Sequence, residues 1–294
     1  MADTREDRLY RLKQHGRVLL DGLVLLEGAL DLPTQVLLLK DIIKFGEVQD
    51  TASVHIGMQK AAGRPTTKLN KFFAQSHSRV NILCDELLSS ASYLQDLLYD
   101  WTSVASELSP SLPPFFPSPS SSSSITRLNY YPPEGRIGWH ADTVPGLSRK
   151  NHLQLTAPII SLSLGNDATF LYRQRMKINK NEASIDEEEE KEEDEAEQIS
   201  SLILRSGDVL LFGGPMRMLY HSVPKIHVGT IPPVLLSVLE EERMPNVFRC
   251  GRFNLTFRQK EEVERAKEDG EEEEDLARKF SDREIMAGLH LYAK

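Results

Sequence analysis

The chain has 294 residues, 40% of them apolar, enough for one large domain or for a domain with a helical extension. Its two cysteines, Cys84 and Cys250, make neither a disulfide framework nor a thiolate zinc site, which excludes small secreted scaffolds and zinc fingers. The formal charge of −9 would argue against a nucleic-acid partner only if it were spread evenly.

It is concentrated in two tracts. Residues 182–197 hold eleven acids against Lys191, and residues 261–275 hold ten against Arg265 and Lys267, leaving the remainder at +9. The first twenty residues are densely charged with both signs, and Glu27 and Gly28 cut the apolar run before them. Neither a secretory signal nor a transmembrane span is expected. With cysteine use that suits a reducing compartment, a soluble intracellular protein of the nucleus or cytoplasm is expected, with no membrane role.

In chain order, residues 4–14 are charged and can start a helix. Residues 18–26 read as a strand interrupted by Asp21-Gly22. Asp31 is an N-cap candidate, Pro33 falls in the first turn, and a helical pattern runs to about Phe45. Periodicity is weak over 46–70; Lys60, Arg64, Lys68 and Lys71 there make either a basic surface loop or part of a lid. The spacing of Val80, Leu83, Leu87, Leu88, Leu94, Leu97, Leu98 and Trp101 predicts one long helix or two short ones over 78–106. A Pro/Ser-rich linker, 109–124, follows.

Short strands are then expected near 125–131, 136–142, 158–164, 168–173, 202–205, 208–213, 218–222, 233–240 and 251–258. Many short strands separated by Gly/Pro turns predict a jelly roll. The expected organisation is α+β: a mostly helical extension over 1–108, the linker 109–124, a jelly-roll core over 125–259 with an acidic insertion at 180–199, and a charged helix and tail over 260–294.

Chemistry concentrates at His140-Ala141-Asp142. In an extended strand, residues i and i+2 share a face with Cα atoms about 6.6 Å apart. An imidazole and a carboxylate can thus converge on one ion, although the same pair serves equally as a hydrogen-bonded surface contact. His221, after the buried-strand pattern 209–212 and a Gly-Gly-Pro turn, is the best third ligand. Two His and one carboxylate on one face of a metal leave positions open for substrate and O₂. Downstream, Arg252, Asn254, Thr256 and Arg258 alternate with Phe253, Leu255 and Phe257. That pattern describes a half-buried strand whose polar face is either solvated or grips carboxylates.

These pieces together resemble the AlkB family of Fe(II)/2-oxoglutarate dioxygenases. The match covers about 125–258: N-x-Y at Asn129 and Tyr131, H-x-D at His140 and Asp142, A-P-I-I-S-L-S-L-G at 157–165, S-G-D-V-L-L-F-G-G at 206–214, His221, and R-x-N-x-T-x-R at 252–258. The last string is the specific one. The resemblance implies a double-stranded β-helix with His140, Asp142 and His221 as Fe(II) ligands. It implies Arg252 as partner of the distal carboxylate of 2-oxoglutarate, with Asn129, Tyr131 and Asn254 assisting and Arg258 nearer the metal-chelating end. It also implies oxidative removal of N-methyl groups from nucleobases with O₂ as co-substrate, and a monomer. In the family, the region before the linker often forms a nucleotide-recognition lid.

One position departs from the pattern. Two residues after the ligand Asp, members acting on cationic bases usually carry an acid, and here stands Val144. The same oxygenase chemistry on a protein substrate therefore stays as an alternative, and a non-catalytic interaction scaffold working through the acidic tracts is a further one. The long loop 143–156 carries Arg149 and Lys150, candidate contacts to substrate phosphate, and His152, read as an ordinary loop histidine. The tract 182–197 is either a solvated loop, a docking arm for a basic protein partner, or a phosphate mimic competing for the substrate groove.

Overall fold

The computed structural model describes residues 4–48, 54–56, 59–60, 80–84, 87, 91, 93–114, 124–143, 154–174, 198–244 and 249–259. Two antiparallel sheets face each other. The larger has the order β1-β2-β11-β8-β13-β6-β5-β3-β4 and the smaller β10-β9-β12-β7. Their strands are β1 (Gly16–Leu20), β2 (Leu23–Leu26), β3 (Val54–Ile56), β4 (Gln59–Lys60), β5 (Val80–Leu83), β6 (Ser124–Tyr131), β7 (Ile137–His140), β8 (Ile159–Gly165), β9 (Asp167–Gln174), β10 (Gln198–Leu204), β11 (Val209–Phe212), β12 (Tyr220–His227) and β13 (Arg252–Gln259). The strand pattern of the sequence thus folds as the expected jelly roll.

The apolar runs L-V-L-L of β2 and V-L-L-F of β11 do not alternate with polar residues, because the larger sheet is covered on both faces. Leu23, Leu25, Leu210 and Phe212 point between the sheets with Phe170 and Tyr172. Val24, Leu26, Val209 and Leu211 point the other way, into a second core with the helices. On β13, Phe253, Leu255 and Phe257 join that helical core. This turns Arg252, Asn254, Thr256 and Arg258 toward the space between the sheets.

The helical layer consists of α1 (Arg5–His15), α2 (Leu32–Val48), α3 (Tyr93–Leu108) and α4 (Pro233–Glu241). Thr4 and Asp7 cap α1 reciprocally, and Thr34 N donates to Asp31 Oδ1 at 2.9 Å at the start of α2. Asp100 of α3 is fully buried and paired with both Arg5 and Arg8, which clasps α1 to the body. At the β1–β2 turn, Gly22 has φ +83°, and a Cβ there would meet Gly213 O at 2.5 Å. Only glycine fits that left-handed, crowded position.

Two expectations need correction. Residues 80–83, read as helix, form strand β5, pairing with β3 on one side and β6 on the other. Their apolar spacing is compatible with either element, and pairing along β6 decides it. Residues 233–240, read as a strand, form α4. Pro233 sits in the first turn, where its missing N–H costs nothing, and Leu235, Val238 and Leu239 share the buried face against α2. Both ends of the larger sheet come from residues before 109: β1 and β2 at one edge, β5, β3 and β4 at the other. The segments 61–71, 144–153, 175–197 and 260–294, which include Lys68, Val144, Arg149, Lys150, His152, both acidic tracts and the expected C-terminal helix, lie outside the described residues.

Candidate metal and 2-oxoglutarate site

The smaller sheet brings together the residues of the candidate metal site. His140 ends β7 and His221 lies near the start of β12, and the two are direct cross-strand partners, with ring centroids 4.3 Å apart. Asp142 follows β7 by two residues, with its Oδ1 3.7 Å from His140 Nε2. One ligating atom from each of His140, Asp142 and His221 lies within 4.8 Å of the others.

Each ring is oriented by its own strand. His140 Nδ1 sits 2.9 Å from Gly138 O, and His221 Nδ1 sits 2.9 Å from Leu219 O. A carbonyl accepts, so Nδ1 carries the proton in both rings and each Nε2 lone pair is left toward the shared centre. Phe170 stacks on His221 at 5.1 Å and Phe212 meets it edge-on at 5.6 Å. Burial lowers the His221 pKa, with Asp142 opposing, so the neutral, metal-ready ring is favoured. Burial alone would raise the Asp142 carboxyl. Neighbouring positive charge, that of Arg258 foremost, outweighs it and holds the group below the usual carboxylate range. Two imidazoles held by strand carbonyls and an ionised carboxylate, all oriented from outside, fit a divalent iron.

Arg252 and Arg258 line the same cleft, six positions apart on one strand. Arg258 Nη2 lies 3.3 Å from Asp142 Oδ1, and its Nη1 donates to Thr143 O at 2.8 Å. Its buried Nε has no hydrogen-bond partner among the described residues. Arg252 is 2% exposed and donates to Asn166 O, Leu204 O and Ser163 Oγ, all neutral acceptors. Among the described residues no carboxylate pairs with it within salt-bridge distance. Burial pushes its guanidinium down to about 10. A buried cation held in place by neutral groups fits the carboxylate end of a small dicarboxylate such as 2-oxoglutarate.

Asn129 and Tyr131, on β6, and Asn254 also line the cleft. Asn254 Nδ2 donates to Ser161 Oγ at 2.8 Å and Leu162 O at 3.0 Å, and its Oδ1 accepts from Asn129 Nδ2 at 3.2 Å. Its amide is thus engaged within the sheet and orients Asn129. Sequence reasoning missed Arg217, whose Nη1 donates to Asp142 O at 3.1 Å although the side chain is 2% exposed. It also missed Phe170, Phe212 and Asn166. Only Phe212, inside the quoted 206–214 string, gave a sequence signal.

Comparison with known proteins agrees with this geometry. The family model described as the 2OG-Fe(II) oxygenase superfamily matches residues 54–258. The DNA N(6)-methyladenine demethylase ALKBH1D of Arabidopsis thaliana is 34% identical over 140 residues, 48% of this chain and 25% of that protein. The alpha-ketoglutarate-dependent dioxygenase AlkB of Salmonella typhimurium is 28% identical over 137 residues, 47% of this chain and 45% of that one. The chain therefore spans a quarter of the length of the first relative and less than half of the second. Among solved structures, that of OsALKBH1 superposes with a TM-score of 0.55 at 22% identity, covering 83% of this chain and 100% of that one, a likeness of fold. The strand order, the converging ligand set, the matched family and the relatives lead to one assignment: the chain belongs to the 2OG-Fe(II) oxygenase superfamily, whose cofactors are Fe(II) and 2-oxoglutarate, and within it to the AlkB family.

Proposed function

We propose that this chain is an Fe(II)/2-oxoglutarate-dependent dioxygenase that oxidatively removes N-linked methyl groups from nucleobases in DNA or RNA, releasing formaldehyde, succinate and CO₂. The observation that carries the reading is one cleft holding both a two-His, one-carboxylate set and a buried guanidinium without an anionic partner among the described residues. His140, Asp142 and His221 would hold the iron. Arg252 would hold the far carboxylate of 2-oxoglutarate, and Arg258 would steady Asp142 and face the chelating end.

When bound, the iron and 2-oxoglutarate supply the O₂-dependent oxidant for C–H hydroxylation of the methyl group. The protein's own residues orient and exclude water. Phe170 and Phe212 keep the His221 side of the centre dry, and the strand carbonyls of Gly138 and Leu219 fix both rings. A base within a duplex must be extruded, or the substrate must be single-stranded, to reach such a cleft.

The nucleic-acid substrate is supported by the names of the relatives, a DNA N(6)-methyladenine demethylase among them, and by the basic remainder of the chain. Arg149 and Lys150 are carried as candidate phosphate contacts, and a monomer in the nucleus or cytoplasm as the working state. Among the described residues no helix is long and apolar enough to cross a membrane.

The test is aerobic incubation with Fe(II), 2-oxoglutarate and ascorbate on single-stranded DNA and RNA bearing N-methylated adenine or cytosine, read by mass spectrometry. Loss of the methyl group with wild type and not with His140→Ala supports the reading. Retention of every methyl group, with 2-oxoglutarate still consumed, would move the substrate to another class.

A further inference from the structure

Asp142 sits where strand pairing has run out. Strand β7 ends at His140, the partner of His221, so the ladder does not set the direction of the residues that follow. Other hydrogen bonds do. Thr143 N donates to Ala141 O at 2.9 Å, Arg258 Nη1 to Thr143 O at 2.8 Å, and Arg217 Nη1 to Asp142 O at 3.1 Å.

Arg217 reaches Asp142 from the connection between β11 and β12, and that connection is itself anchored. Gly213 N donates to Gly22 O at 3.0 Å and Gly214 N to Thr156 O at 2.7 Å. Gly214 has φ +51°, and a Cβ there would collide with Ser111 O, so the backbone can lie this close only as glycine. The next residues are tied by Arg217 N to Gly214 O at 3.1 Å and Leu219 N to Met216 O at 2.9 Å. One short connection thus serves both ligand segments. Through Leu219 O it orients the His221 ring, and through Arg217 it holds the peptide of Asp142. It also meets the chain on both sides of the 143–156 loop, at Asp142 O before it and at Thr156 O, its last residue.

Arg217 is 2% exposed, and a buried guanidinium is costly unless its hydrogen bonds are well placed. Its bond to the Asp142 carbonyl is charge-assisted and stronger than a neutral one. Arg258 grips the carboxylate from the larger sheet, while Arg217 grips the peptide of the same residue from the connection. Held at both places, the side chain has little freedom to swing out of the cleft. We infer that Arg217 is a positioning residue for the metal centre, holding the Asp142 peptide so that the carboxylate faces His140 and His221 before a metal arrives. This rests on the assignment of His140, Asp142 and His221 as the iron ligands. Supporting contacts of this kind carry about 10- to 100-fold in metal affinity.

The experiment is Mn(II) titration of the full chain, followed by electron paramagnetic resonance, with the Tm of the metal-free protein measured in parallel. Wild type is compared with Arg217→Met, Arg217→Lys and Leu98→Ala. Arg217→Met keeps the length of the side chain and removes its charge and donors; Arg217→Gln takes its place should Arg217→Met not fold. Arg217→Lys keeps the charge and a donor. Leu98 is fully buried in the helical core, so Leu98→Ala loosens the fold behind the larger sheet without touching the site. The inference predicts Mn(II) affinity about tenfold or more below wild type in Arg217→Met, an intermediate value in Arg217→Lys, and wild-type affinity in Leu98→Ala despite its lowered Tm. Affinity within about twofold of wild type in folded Arg217→Met or Arg217→Gln would overturn it. So would an equal loss in Leu98→Ala, which would make the effect one of general stability, or a loss in Arg217→Lys as large as in Arg217→Met. These outcomes leave the ligand assignment standing. Absence of Mn(II) binding by wild type would overturn that assignment and the inference with it.

Discussion

Arg258, on the penultimate position of β13, holds Asp142, with Nη2 3.3 Å from Oδ1 and Nη1 bonded to the next carbonyl, that of Thr143. The carboxylate proposed as a ligand is thus oriented by a strand of the opposite sheet. Partners of this kind tune metal affinity without touching the metal. Arg258→Met is predicted to weaken Mn(II) binding by about 10- to 100-fold with the fold retained. Titration followed by electron paramagnetic resonance, with circular dichroism for the fold, checks it. Unchanged affinity would mean that Arg258 is not holding the ligand.

Arg252 should report on 2-oxoglutarate alone. Removing one partner of a buried charged pair costs about 2–5 kcal/mol of binding. In Arg252→Gln, the rise in Tm that 2-oxoglutarate gives the Mn(II)-loaded protein should vanish, while the rise given by Mn(II) itself persists. A 2-oxoglutarate shift that survives would place the dicarboxylate elsewhere.

Much of this was legible in the sequence, for a physical reason. The β13 alternation separates an apolar from a polar face within seven residues, and H-x-D is local, so both could be read without knowing what lies opposite. Pairing partners could not. Residues 80–83 and 233–240 are short apolar runs whose helix or strand state depends on a neighbour, β6 in one case and α2 in the other. Arg217 and Asn166 carried no signal at all. Their roles come from carbonyls and amides brought close only by the closed fold.

Asn166 shows how much one unmarked residue can hold. Its Oδ1 accepts from the N–H groups of Gly229, Thr230 and Ile231, its Nδ2 donates to Arg249 O and Gly251 O, and its carbonyl receives Arg252. Asn166→Ala removes the buried side-chain amide that ties these backbone groups together and is predicted to destabilise the fold by about 1–3 kcal/mol. It should also weaken 2-oxoglutarate binding through Arg252. Urea denaturation and ligand titration measure the two effects; a shift below about 0.5 kcal/mol would contradict the first.

The depressed pKa of His221 sets a pH dependence. The fold favours the neutral ring, so this contribution to stability is present above the ordinary histidine range and lost as pH falls through the lowered folded value. Metal binding needs the same neutral ring. Mn(II) affinity should therefore stay nearly level as pH falls to about 6.5, the ordinary histidine value, and drop only below it. A tenfold loss already complete at that pH would contradict the assignment of His221.

The most direct measurement is conversion of 2-oxoglutarate to succinate under air with Fe(II), for wild type, His140→Ala and His221→Ala, without and with a methylated oligonucleotide. The account predicts succinate from wild type, increased by the oligonucleotide and matched by formaldehyde, and none above background from either variant. Equal succinate from wild type and variants, or none from any of them with Fe(II) bound, would contradict an iron dioxygenase built on His140, Asp142 and His221.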